Sequence, residues 1–148
     1  MEANIAEKFH NLLDYLLYAK SEFEIVADEI GDCRLKTALY GFSEESEIYI
    51  NEICSHLQVI GIAYHYPKAL PVLDKLQAPG EQVIDDSKGN ELQYICNTNE
   101  QYITATYYDI LNGYFPFPVI REIMVYQLNT LKSILKKICF LNLARFSN

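Results

Sequence analysis

The stretch IAYHYPKALPVLDKLQAPGEQVIDDS, residues 62–87, decides how the rest of the chain is arranged. It carries Pro67, Pro71, Pro79 and Gly80 and ends in the polar run Asp85, Asp86, Ser87, so no long helix passes through it. It is too long for a tight turn between adjacent antiparallel helices, and ample to cross the full length of a helical bundle. Its middle, Lys68 to Gln77, is a candidate for a short helix.

On the upstream side two amphipathic segments follow one another closely. From about Asn4 to Ile30, the residues Phe9, Leu12, Leu16, Ala19, Phe23, Val26 and Ile30 recur at spacings of three and four, one apolar seam on a helix. Asn4 followed by Glu7 resembles a capping box, and Gly31 with Asp32 ends this helix and starts the next. The second seam is Leu35, Leu39, Phe42, Tyr49, Ile53, Leu57 and Ile60, stopped by Gly61; Gly41 inside it costs some helix propensity. Downstream, Leu92, Cys96, Ile103 and Ile110 mark a third helix closed by Asn112-Gly113. Two prolines in Tyr114 to Pro118 then lead into a fourth, with Ile120, Ile123, Leu131, Ile134, Ile138 and Leu141 expected inward. The expected architecture is all-α: one domain spanning 1–148, a ferritin-like four-helix bundle with helices near 4–30, 33–60, 88–111 and 119–143. Two antiparallel helical hairpins are joined by the long crossover, rather than following one another up-down-up-down.

At 148 residues, half of them apolar, the chain is long enough to bury one sizeable core. The start lacks the basic and apolar pattern of a secretory signal and no apolar run approaches membrane-spanning length, so the expectation is a cytoplasmic protein without a membrane partner. Cys33, Cys54, Cys96 and Cys139 form no Cys-x-x-Cys pair, which removes the usual signature of a zinc knuckle or redox motif. The net charge of -8 argues against nucleic acid as a partner. That charge is uneven: residues 1–60 carry 12 acids against 4 bases, residues 121–148 one acid against five bases. Lys132, Lys136, Lys137 and Arg145 fall late in the last helix, where cations suit the helix dipole.

Function is sought in the polar residues that interrupt the seams, because a buried polar group needs a partner. Lys20 stands beside Ala19 in the first seam. Glu45, Glu52 and His56 share one face of the second helix. Glu100 flanks Cys96 and Ile103, with Tyr107 two turns on, and Gln127 sits between Ile123 and Leu131. Counting from the helix ends, Lys20, Glu45, Glu100, Tyr107 and Gln127 are the candidates for one polar layer near mid-bundle. The dinuclear carboxylate arrangement wants Glu-x-x-His, and the residue three beyond Glu45 is Ile48. No phosphate loop, His-Glu-x-x-His or nucleophile elbow is present, which leans away from an enzyme. His10 and His65 read as surface residues.

Phe9-His10-Asn11-Leu12-Leu13, then Phe23 to Ala27, then Asp32-Cys33-Arg34-Leu35-Lys36 resemble the opening helix and Asp-Pro-Glu-Leu-Lys turn of a family of small bacterial four-helix-bundle proteins of unknown function, within the ferritin-like superfamily. Cys96, Glu100 and Tyr107 are similar to that family's Cys-Glu-x-Gly-Glu helix, and Gln127-Leu128 to its Gln-Leu step. The resemblance implies a bundle whose superfamily often holds two iron or manganese ions between carboxylates. Here Lys20 stands where that family has Glu, and Gln127 replaces an acid. An ammonium would oppose a dication and, beside Glu45 or Glu100, would supply the positive charge itself. The reading that follows is a non-catalytic bundle with a metal-free polar core and no cofactor, acting by self-association or on another protein. Two alternatives stand beside it. One is a degenerate di-iron or di-manganese oxidase or storage protein using Glu45, Glu52, His56 and Glu100, with Glu22, Glu24 or Glu122 as substitutes. The other is a small-ligand binding module lined by Tyr107, Tyr108, Phe115 and Phe117.

Overall fold

The ends of the helices are set by a few local interactions. The Asp32 side chain accepts a hydrogen bond from the Leu35 N–H at 3.0 Å and so caps the second helix. That helix stops where Gly61 takes a left-handed conformation, φ +86°, which lets the Ile62 N–H reach the Leu57 carbonyl at 2.9 Å. The last helix opens on Pro118, whose missing N–H costs nothing in a first turn. The computed structural model describes residues 3–65 and 89–145. Among them are four α-helices and no strand: α1 (Ala3–Glu29), α2 (Cys33–Val59), α3 (Asn90–Leu111) and α4 (Pro118–Ala144). The expected short helix over 68–77 lies outside the described residues, as does most of the crossover.

Within the described residues α1 packs on α2 and α3, α4 packs on the same two, and the pairs α1/α4 and α2/α3 make no close approach. Along α1 and α2 the partners are Asp28 with Tyr40, Glu24 with Ser43 and Lys20 with Glu47, so numbers fall on one helix as they rise on the other. Lys8 with Asp109 and Tyr15 with Asn99 repeat that order between α1 and α3. Gln93 with Asn142 and Tyr107 with Gln127 repeat it between α3 and α4.

The apolar seams of α1, α2 and α3 face the core as expected: Phe9, Leu12, Leu16, Ala19, Phe23, Leu39, Phe42, Leu57, Leu92, Cys96, Ile103 and Ile110 have no exposed surface. Phe23 and Phe42 join α1 to α2 with ring centroids 4.4 Å apart. On α4 the inward face differs from the expected one. Ile120, Leu131 and Ile138 are buried, but Ile123, Ile134 and Leu141 are only half-buried; Met124, Leu128 and Leu135 share the core instead. Two polar side chains bind the α3–α4 ends together: Arg121 donates to the Leu111 carbonyl at 2.6 Å, and buried Asn142 donates to the Gly89 carbonyl at 2.9 Å. No helix among the described residues is long and apolar enough to cross a membrane.

Candidate functional site

Two hydrogen-bonded chains lie inside the bundle. The first joins α1 to α3. Asn99, fully buried, uses both amide hydrogens, one toward Glu22 Oε1 at 2.9 Å and one toward the Ile95 carbonyl at 2.8 Å, while its Oδ1 accepts from the Tyr15 hydroxyl. Tyr102 stacks on the Tyr15 ring, centroids 5.6 Å apart. Glu22 is 2% exposed, and burial pushes its carboxyl up to about 7, with the Asn99 donation opposing that rise. Burial and then the Glu22 charge raise the Tyr15 hydroxyl well above its ordinary value, and move Tyr18 up to about 12.

The second chain joins three helices. The Tyr107 hydroxyl donates to Gln127 Oε1 at 2.9 Å, and Gln127 Nε2 donates to Glu52 Oε1 at 2.8 Å. An amide suits this position because it accepts on one side and donates on the other. Tyr107 is fully buried, and burial keeps its hydroxyl protonated. Asn99 and Tyr107 are eight residues apart on α3, about 12 Å along the axis at 1.5 Å per residue, so the two chains occupy different levels.

Of the five residues expected in one layer, Tyr107 and Gln127 meet and the others do not. Lys20 leaves the core: it pairs with Glu24 at 2.8 Å and Glu47 at 3.8 Å on the α1–α2 boundary, its side chain 22% exposed. The expectation that it replaces a metal charge beside Glu45 or Glu100 is therefore corrected. The cause is helical phase. Ser43 and Glu47, one turn apart, face α1, whereas Glu45 and Tyr49 are turned toward α4, where burial first and then Glu45 raise the Tyr49 hydroxyl above its ordinary pKa and Thr130 opposes the rise. Glu100 is half-buried on a shallow outer groove with Asn97, Gln101, Thr104 and Lys132. His56 lines a different, apolar groove with Val59, Phe117, Val119 and Ile120, and Glu122 is exposed. Ile48 is 54% exposed, so a histidine three residues beyond Glu45 would also point away from the core. Among the described residues no three His, Cys, Asp or Glu side chains converge on a metal-sized space.

No family model, curated protein or solved structure matches the chain.

Asn99 was not singled out in the sequence, although it completes the α3 seam, three residues after Cys96 and four before Ile103. Glu22, named only as a substitute ligand, follows Tyr15 by seven residues and Tyr18 by four, which is the spacing of one helix face. Of the aromatic residues expected to line a ligand pocket, Tyr107 and Phe115 are buried in the core, Tyr108 is exposed on an outer groove with Lys8, Asn11 and Asp109, and Phe117 lines the groove beside His56. Phe115 is buried between Phe9 and Phe117, with ring centroids 5.4 and 5.2 Å away.

The outer surface offers a contrast to this filled interior. Along α2 and α4, Ile48, Val59, Val119 and Tyr126 are each more than half exposed. Tyr49 meets Tyr126 edge-on at 6.4 Å, and Val59 and Val119 line one groove, so Val59 stands level with Val119 while Tyr126 lies about a turn from the level of Ile48.

Proposed function

We propose that the chain is a non-catalytic, ferritin-like bundle of two antiparallel hairpins that acts in the cytoplasm by pairing with a second copy of itself through the α2–α4 face. The opposed numbering of every helix contact supports the hairpins. A further support is that α2 and α3, both opposed to α1, run the same way and need a connection as long as the bundle. Metal chemistry is disfavoured by the donor set: Glu22 and Glu52 lie at separate levels, each already engaged by a side-chain amide.

The observation that carries the reading is the paired apolar stripe on α2 and α4. A two-fold axis parallel to the helices sets α2 of one copy against α4 of the other at equal height. Val59 then meets the Val119 of the second copy, as an isologous contact requires, and the long Tyr126 side chain of the second copy spans the turn of helix that separates it from Ile48. Charge follows the same pattern, with Glu44 and Glu45 on α2 and Lys137 on α4, where it lines a groove with Thr37 of α2. Light scattering on the purified chain should give twice 17.1 kDa at micromolar concentration, and Ile48→Asp with Tyr126→Asp should halve it without loss of helical signal. A wild-type chain that stays at 17.1 kDa across that range overturns the proposal.

A further inference from the structure

Cys96 of α3 and Cys139 of α4 face each other at a position fixed from both sides. Gln93, three residues before Cys96, bonds Asn142, three residues after Cys139, at 3.1 Å. Farther along the same pair of helices Tyr107 bonds Gln127 at 2.9 Å. This register leaves the two cysteines opposite one another, close enough for each thiol to shift the titration of the other. Neither the polar layers nor the α2–α4 face uses them.

Their surroundings differ in a way that divides the labour of a reactive pair. Cys96 is fully buried, whereas Cys139 packs against the core with part of its surface open to solvent. The Cys96 thiol beside it holds the Cys139 thiol below its ordinary pKa, against burial and the nearby Glu100 charge, while Cys139 and burial push Cys96 well above its own.

We propose that Cys96 and Cys139 are a redox-reactive pair that a hydroperoxide converts to a disulfide joining α3 to α4. The Cys139 thiolate attacks the terminal peroxide oxygen. The O–O bond breaks, Cys139 becomes a sulfenic acid, and the leaving alkoxide or hydroxide departs with the proton that the Cys139 thiol gave up. The Cys96 sulfur then attacks the Cys139 sulfur; the S–O bond breaks and water leaves with the Cys96 proton. Two thiols lose two electrons in total and the hydroperoxide gains them, becoming an alcohol and water, or two waters from hydrogen peroxide. The bond closes a loop running from Cys96 to Cys139, and its main effect is to restrict the unfolded chain.

The experiment treats the full chain with hydrogen peroxide under native conditions, then blocks remaining thiols and maps the linked peptides. The expected product has lost two hydrogens, carries one link between the peptides of Cys96 and Cys139, returns to the thiol form on reduction, and melts several degrees higher than the reduced chain. Cys96→Ser should instead accumulate a sulfenic acid on Cys139 that dimedone traps, and Cys139→Ser should give neither product. A second variant, Cys96→Ala, keeps the test open if the buried serine unfolds the chain. Linked peptides that contain Cys33 or Cys54 in place of this pair, or no link at any peroxide level that leaves the fold intact, overturn the proposal. Because it makes no use of the α2–α4 face, a monomeric chain leaves this outcome unchanged.

Discussion

Burying a carboxylate without a cation makes Glu22 a source of pH dependence. It faces Tyr15 and Tyr18 of its own helix and Asn99 of α3, and among the described residues no lysine or arginine forms an ion pair with it. In the unfolded chain its carboxyl titrates near 4.5, in the folded one near 7. Between those values the native state holds a proton that the unfolded state has released. The Glu22 contribution is therefore fully present below 4.5, declines as pH rises to about 7, and is level above that. A shift of this size amounts to about 3 kcal/mol at 1.36 kcal/mol per unit. Glu22→Gln keeps the shape and an acceptor for Asn99 while removing the titration. Urea unfolding at several pH values should show the variant gaining roughly 3 kcal/mol on the parent between pH 4.5 and 8. Parallel curves for the two proteins would show that Glu22 does not titrate in that window. The residue scale is also where sequence reading lost most. Lys20 reads as inward because it adjoins Ala19, and Glu100 because it stands one turn from both Cys96 and Ile103, yet one step along a helix turns a side chain by about 100° and exchanges core for boundary. Asn99, one position before Glu100, took the interior place because a short amide can satisfy all its bonds there.

Between elements, the chain Tyr107–Gln127–Glu52 ties α3, α4 and α2 together through one amide. Gln127→Leu would leave the fully buried Tyr107 hydroxyl without its acceptor, a loss of about 1–3 kcal/mol. Adding Tyr107→Phe removes the orphaned hydroxyl, so the double variant should recover part of that loss; chemical denaturation of the four proteins measures the coupling. Additive losses would mean that the two side chains act independently. The helix limits themselves were legible, because Asp32, Gly61, Asn112-Gly113 and Pro118 are punctuation with a local mechanism. The rotation of α4 was not. That helix carries apolar side chains nearly all round, including exposed Val119, Val125, Phe140 and Leu143, so a three-four spacing fits more than one stripe. Packing of Met124, Leu128 and Leu135 against the other helices selects the stripe that is buried.

For the whole molecule, the division of charge between an acidic first half and a basic last helix is plain in the sequence, but its use depends on which helices stand side by side. Because α2 and α4 are neighbours, one face carries both signs, and the orientation of a second copy decides whether they attract. An axis along the helices sets α2 acids against α4 bases; an axis across them sets acids against acids. Charge reversal separates the two. Lys137→Glu, and separately Glu44→Lys with Glu45→Lys, should each weaken self-association at low salt, since either change places like charges opposite one another. Mixed in equal amounts, the two variants present opposite charges at both contacts, so a heterodimer should form where neither homodimer does. Raising salt from about 0.01 to 1 M, which shortens the screening length from about 30 to 3 Å, should erase the preference for the mixed pair while leaving the apolar contact of Ile48 and Tyr126 in place. The mixed pair attracts in either orientation, so the parent is the reference: if each variant alone dimerises at low salt as tightly as the parent, α2 acids do not meet α4 bases, and the parallel arrangement of the two copies is wrong.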